Sequence, residues 1–210
     1  GIEVVGIRYG YSNLMEYSPS TPLVEGLHYK NLTEASLRRT RSKEGIIIGT
    51  ARANPGKQIT SPEHLSDPEK SAPLKRVYEA LRSIGVDALV SIGGDDTLKT
   101  ANKLKMYQDR LPADMKRMPV VHVPKTIDND TWGTELTFGF TSAIDVATKC
   151  IDDIHTTASS HGRVFVIEIM GHKVGWIPLY AGVAGGADVI LIPEIPYDMD
   201  NVIKTIEHRM

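Results

Sequence analysis

The run Val86-Asp87-Ala88-Leu89-Val90-Ser91-Ile92-Gly93-Gly94-Asp95-Asp96-Thr97 sets the architecture. Its first seven residues read as a β-strand, rich in apolar side chains, which ends on a double glycine and gives way to polar residues. Upstream, Leu74, Val77, Ala80, Leu81 and Ile84 recur at helical spacing, and Gly85 stands where a helix C-cap belongs. Downstream, a helix is expected from about Leu98 to Tyr107, then a strand at Val120–Val123 stopped by Pro124. Helix, strand, polar corner, helix, strand is the rhythm of an α/β protein.

The rhythm continues outward in both directions. Ile2–Ile7 and Gly45–Gly49 read as strands, the second a β-branched run between glycines. Between them and the first helix, 54–73 holds four prolines and reads as a surface insertion. The longest helix is expected over 141–159. Phe140, Ala143, Ile144, Ala147, Ile151, Ile154 and Ala158 form one apolar stripe there. Strands are expected at Arg163–Met170 and Val189–Ile192, with a helix at Trp176–Ala184 between them, and a helical pattern runs through Glu207-His208-Arg209-Met210. The whole predicts a Rossmann-like three-layer α/β sandwich, its mostly parallel sheet covered on both faces.

Composition narrows the function. The 210 residues carry 24 Lys+Arg and 26 Asp+Glu, a net charge of −2, so no basic excess favours nucleic acid. No apolar run approaches the ~18 residues that span a bilayer. One cysteine, Cys150, rules out an internal disulfide and fits a reducing cytoplasm. It reads as a packing thiol on its helix. Asp152 and Asp153 read as a solvated helix face, and His28, His64, His122 and His155 lack the spacing of a zinc site. Tyr9, Tyr11 and Tyr17 read as packing residues.

Ligands of such folds bind beyond the carboxyl ends of the strands. Three polar clusters are expected there: Gly93–Thr97, Pro124–Asp130 and Met170–Lys173. In the first, glycines let backbone approach an anion and the helix N-terminus favours phosphate. Adjacent carboxylates oppose a bare phosphate but suit one bridged by Mg²⁺; the plainer reading is a turn capped by Asp95 or Asp96. In the second, Asp128 has the chemistry of a base for an alcohol proton and Lys125 that of a counter-charge for a transferred phosphoryl group. The plainer reading there is an Asx-turn with a solvated lysine.

These segments resemble the phosphofructokinases. Gly49-Thr50-Ala51-Arg52, Gly93-Gly94-Asp95-Asp96-Thr97, Pro124-Lys125-Thr126-Ile127-Asp128-Asn129-Asp130, His161-Gly162-Arg163, Met170-Gly171-His172 and Ala184-Gly185-Gly186-Ala187-Asp188 follow the family's order. The resemblance implies Asp128 as the base for the sugar 1-hydroxyl, with Lys125 and Thr126 beside it in catalysis. It implies Arg52, Gly94, Asp96 and Thr97 on the phosphoryl donor, and Asp95 with Mg²⁺. Thr126, Asp128, Asp130, Arg163, Met170, Gly171 and His172 would hold fructose 6-phosphate. Arg163 resembles an arginine that crosses a subunit interface, which implies a homo-oligomer, dimer or tetramer.

The donor turns on Asp96 and Lys125. The family pattern links this pair to inorganic pyrophosphate, and physically the Asp96 side chain would fill, with negative charge, space that a nucleotide needs. ATP as donor and a non-catalytic regulatory subunit are the competing readings. A dinucleotide-binding dehydrogenase is weaker, because no Gly-x-Gly-x-x-Gly run follows a strand. His172 stands where the family usually has arginine, and a histidine changes charge near neutral pH. The family's first strand with its glycine-rich loop is expected before Gly1 and its later sugar-binding residues after Met210. Residues 1–210 would then be the catalytic region, mainly the donor-side domain, with a sugar-binding domain beginning within 140–210.

Overall fold

The computed structural model describes residues 1–38, 40 and 45–209. Two compact units divide the chain, Gly1–Ile92 with Asp96–Val123, and Gly93–Asp95 with Pro124–Met210.

In the first unit, strand β1 (Val4–Ile7) pairs antiparallel with β2 (Tyr29–Leu32), and short helices α1 (Ser12–Met15) and α2 (Glu34–Leu37) flank them. A 3₁₀ turn, Pro62–Ser66, leads into helix α3 (Pro68–Ser83). The loop expected over 54–73 therefore ends early. Asp67 caps α3, its carboxylate accepting the Glu69 and Lys70 amides, and Pro68 sits at the first helical position where no N–H is needed. The helix ends as the sequence predicts. Gly85 (φ +77°) donates to Arg82 and Val86 donates to Leu81, the double bond of a Schellman motif. Leu74, Val77, Tyr78, Ala80 and Leu81 of α3 are buried with Leu14, Ile59, Leu65, Leu104 and Met118, which is the core of this unit.

Strand β3 (Leu89–Gly93) precedes α4 (Asp95–Gln108), and β4 (Val120–Thr126) follows beside β3. Helix α4 starts three residues before Leu98, which puts Asp95 and Asp96 in its first turn. Strand β4 continues through Pro124 instead of stopping there, because extended backbone suits proline's fixed φ wherever its missing N–H is not required. Its last residues, Lys125 and Thr126, pair in parallel with Phe138 and Gly139 of β5 (Phe138–Gly139) in the second unit.

Helix α5 (Phe140–His161) follows, then α6 (Trp176–Ala184) and α7 (Met199–Arg209); Met210, the last residue of the expected helical run, lies outside the described residues. The predicted stripe of α5 is its least exposed face, with Phe140 and Ile151 fully buried. Phe140 meets Tyr180 of α6 edge-on, ring centroids 5.6 Å apart, and Ile177 and Ala181 complete this second core.

Three expected strands do not form. Gly45–Gly49 is a turn, closed by Gly49 donating to Ile46, with both glycines at positive φ bending the chain. Arg163–Met170 and Val189–Ile192 have no strand pairing among the described residues. A strand needs a partner for its N–H and C=O groups, and apolar character alone does not supply one. Coverage of the sheet is likewise partial. Val90, Ile92 and Val121 stay 61%, 58% and 61% exposed. These three side chains of the first unit form an apolar face that nothing in that unit covers.

Candidate active site

Inside the second unit, Gly94 of the first polar cluster meets Lys125 and Thr126 of the second. A methyl group built on its Cα would lie 3.8 Å from both the Lys125 carbonyl oxygen and Thr126 Cβ, so the double-glycine corner runs directly alongside the end of β4. Asp95, the next residue, is half-buried at the head of α4. Thr126 then fixes Asp128. Its hydroxyl accepts the Asp128 amide at 3.2 Å and donates toward the Asp128 carboxylate at 3.5 Å. Lys125 is exposed, while Thr126, Asp128 and Asp130 are half-buried.

The loop beyond Asp128 is anchored at its far end. The Asn129 side chain accepts the Thr137 amide at 2.9 Å and donates to the Glu135 carbonyl at 3.2 Å. The buried Thr137 hydroxyl donates to the Thr126 carbonyl at 2.7 Å. Sequence reading passed over Asn129 and Thr137. The only hint was an asparagine set between two carboxylates, a residue type that tolerates a left-handed backbone.

Of the residues assigned to the donor, Arg52, Asp96 and Thr97 lie in the first unit and Gly94 in the second. Asn54, two residues after Arg52, accepts from the Thr100 hydroxyl at 3.0 Å, and that hydroxyl also donates to the Asp96 carbonyl at 2.9 Å. Lys103 ties down the same loop by donating to Gly56 at 3.0 Å. Arg52 is exposed two residues before this anchored turn, and at the head of α4 Asp96 is exposed and Thr97 half-buried. Asn54 and Thr100 were also missed; the Asn-Pro-Gly turn that begins at Asn54 was their signal. Elsewhere in this unit, burial pushes the Tyr11 phenol up, while its bond to Ser91 pulls it back. The ring of Tyr11 and that of Tyr17 pack on the core, as the sequence suggested, and Tyr9 lies under the Arg8 guanidinium at 5.4 Å.

The third cluster sits in its own turn. Val174 donates to Gly171 at 3.0 Å, and a Cβ on Gly171 would strike the Val174 carbonyl, so only glycine fits. His172 occupies this turn at φ +56°, exposed. Gly171 and His172 line a cavity of about 240 Å³ with Glu168, Val174, Pro178 and Leu191. Met170 is exposed, and Arg163 lies exposed just past the Gly162 cap of α5. Cys150 is exposed on α5 and not buried as a packing thiol should be, because it falls off the apolar stripe.

Among the described residues no group of three or more His, Cys, Asp or Glu side chains is placed to hold a metal. A half-buried carboxylate such as Asp95, beside a glycine corner open to phosphate, has the chemistry of a Mg²⁺ ligand, since that ion keeps several waters and takes one or two carboxylates plus substrate phosphates. No helix among the described residues is long and apolar enough to cross a membrane.

The chain matches the family described as Phosphofructokinase over residues 1–210. It is 43% identical over 210 residues to an ATP-dependent 6-phosphofructokinase 3 of Bacteroides thetaiotaomicron, covering all of this chain and 55% of that protein. It is 42% identical over 174 residues to a pyrophosphate–fructose 6-phosphate 1-phosphotransferase of Streptomyces coelicolor, covering 83% of this chain and 45% of that one. The chain spans about half the length of the curated relatives it matches. Among solved structures, Pichia pastoris phosphofructokinase in the T-state superposes with a TM-score of 0.78 at 31% identity, over 100% of this chain and 21% of that one. A pyrophosphate-dependent phosphofructokinase of Marinobacter aquaeolei gives 0.63 at 25% identity, over 78% and 39%.

Proposed function

The chain belongs to the phosphofructokinase family, and from that premise we propose that the full-length enzyme transfers a phosphoryl group from inorganic pyrophosphate to the 1-hydroxyl of fructose 6-phosphate. The observation that carries this reading is the packing of Gly94 against Lys125–Thr126, with Thr126 bonded to Asp128. Asp128 accepts the proton of the attacking hydroxyl as the new P–O bond forms and the bond to the leaving phosphate breaks. The Lys125 ammonium stabilises charge on the transferred group, and Gly94 leaves room for phosphate oxygens to approach the backbone.

Arg52, Gly94, Asp96 and Thr97 bind the donor. Thr126, Asp128, Asp130, Arg163, Met170, Gly171 and His172 bind the sugar phosphate. Asp95 is the residue that would hold Mg²⁺, which when bound neutralises charge on the phosphoryl oxygens. The working protein is a cytoplasmic homo-oligomer, a dimer or tetramer, that reaches no membrane or nucleic acid.

Asp96 supports pyrophosphate. Its carboxylate stands at the head of α4, where a nucleotide donor would meet added bulk and like charge. The second reading, ATP as donor, is favoured by the Bacteroides relative, whose name is ATP-dependent and which matches the whole chain. The deciding experiment is a turnover assay of the full-length enzyme with pyrophosphate and with ATP, each with Mg²⁺ and with excess chelator. Expected are higher kcat/KM with pyrophosphate and loss of activity on chelation. Preference for ATP would overturn the donor assignment and leave phosphoryl transfer to the sugar standing.

A further inference from the structure

We propose that Asn129 is a positioning residue that holds Asp128 in its reacting orientation; this rests on the reading of Asp128 as the base. Asn129 is one of three non-glycine residues at positive φ among those described, at φ +56°. Such a backbone is uncommon, and asparagine is among the few side chains that tolerate it. The conformation reverses the chain immediately after Asp128, so the carboxylate's direction depends on keeping that one residue left-handed.

The amide of Asn129 keeps it there. One face accepts the Thr137 N–H and the other donates to the Glu135 carbonyl, which clamps the loop from both ends of its amide group. Thr137 closes a ring, since its hydroxyl donates to the Thr126 carbonyl while the Thr126 hydroxyl receives the Asp128 amide. The ring Thr126–Asp128–Asn129–Thr137 lies where β4 and β5 pair, at Thr126 opposite Gly139. A carboxylate borne on a loop is thereby fixed to the end of a sheet, which is the support a general base requires. Displacing a reacting group by about 1 Å can cost on the order of 10²-fold in rate.

The test compares Asn129→Gly, Asn129→Asp, Thr137→Val and Asp128→Ser in the full-length enzyme, with kcat, KM and pH profiles measured for each. Asn129→Gly keeps the left-handed backbone available and removes only the amide. Its kcat should fall about 10- to 100-fold, with KM changed by less than about threefold and thermal unfolding unmoved. Its pH profile should keep the wild-type shape, because the substitution removes no titratable group. Asn129→Asp keeps an acceptor for Thr137 and should recover part of the loss. Asn129→Gly and Thr137→Val should combine less than multiplicatively, since both loosen one ring. Wild-type kcat in Asn129→Gly, a loss matched by unfolding, or fully multiplicative effects would each overturn the proposal. Undiminished turnover in Asp128→Ser would instead sink the base assignment on which it stands.

Discussion

Asp128 owes its place to a short chain of bonds, and its consequence is the most direct to measure. Replacing it with serine removes the proposed proton acceptor while leaving Thr126 and its neighbours in position. Turnover should fall by about 10²–10⁴-fold with a modest change in sugar KM, as steady-state kinetics will read. A second residue-level outcome concerns Asp87. The Lys116 ammonium bonded to it, that same positive charge, and Arg82 hold its carboxyl below the usual value of 3.8. A carboxyl whose folded value is depressed stabilises the protein above its unfolded value, and the contribution is lost as pH falls through the folded one. Asp87→Asn should therefore lower the urea midpoint slightly at neutral pH, the pair being at the surface. Below the folded value of Asp87 the two proteins should unfold alike; a gap that persisted there would assign the loss to something other than charge.

Helices and strands met different fates in this chain. The α3 stop, the α5 stripe and the whole of α6 were legible because helix bonds close between residues four apart, so the needed information is local. The junction of α4 with β4 was not legible. There Gln108, the last residue of α4, accepts the Met118 amide at 2.7 Å and donates to the Met118 carbonyl at 3.1 Å, all of it buried. A side chain is doing the pairing that a strand neighbour would otherwise do. Gln108→Ala would strand both backbone groups and should cost roughly 2–4 kcal/mol by chemical denaturation, with Gln108→Glu intermediate. A similar dependence fixes Gly185, where a Cβ would come within 2.6 Å of Ile151 Cγ2 and break the seat of α6 on α5. The double glycine follows the expected end of the helix at Ala184; that the first of the pair is required by packing was visible only in three dimensions.

The molecule as a whole exposes more apolar surface than its neutral composition suggests. In the first unit Val90, Ile92 and Val121 share an open sheet face; in the second, Trp132 and Val166 are 97% and 94% exposed. Large exposed apolar patches drive association. The 210-residue chain alone should bind a hydrophobic dye and self-associate in light scattering, and Val90→Thr with Val121→Thr should reduce both. A monodisperse, dye-silent chain would show that these faces are covered in solution.

Chemistry and local geometry were written in the order of residues. The double glycine with its carboxylates, the Lys-Thr-Ile-Asp-Asn-Asp run and the helix stripes each act within a few positions of one another, and the corner into α4, the turn after β4 and the apolar face of α5 are present in three dimensions. Pairing was not. Whether Gly45–Gly49, Arg163–Met170 or Val189–Ile192 became strands, and which distant threonine would latch the loop of Asp128, depended on partners brought close only by folding. A β-strand's hydrogen bonds run to another segment of chain, and no list of its own residues says whether that segment arrives.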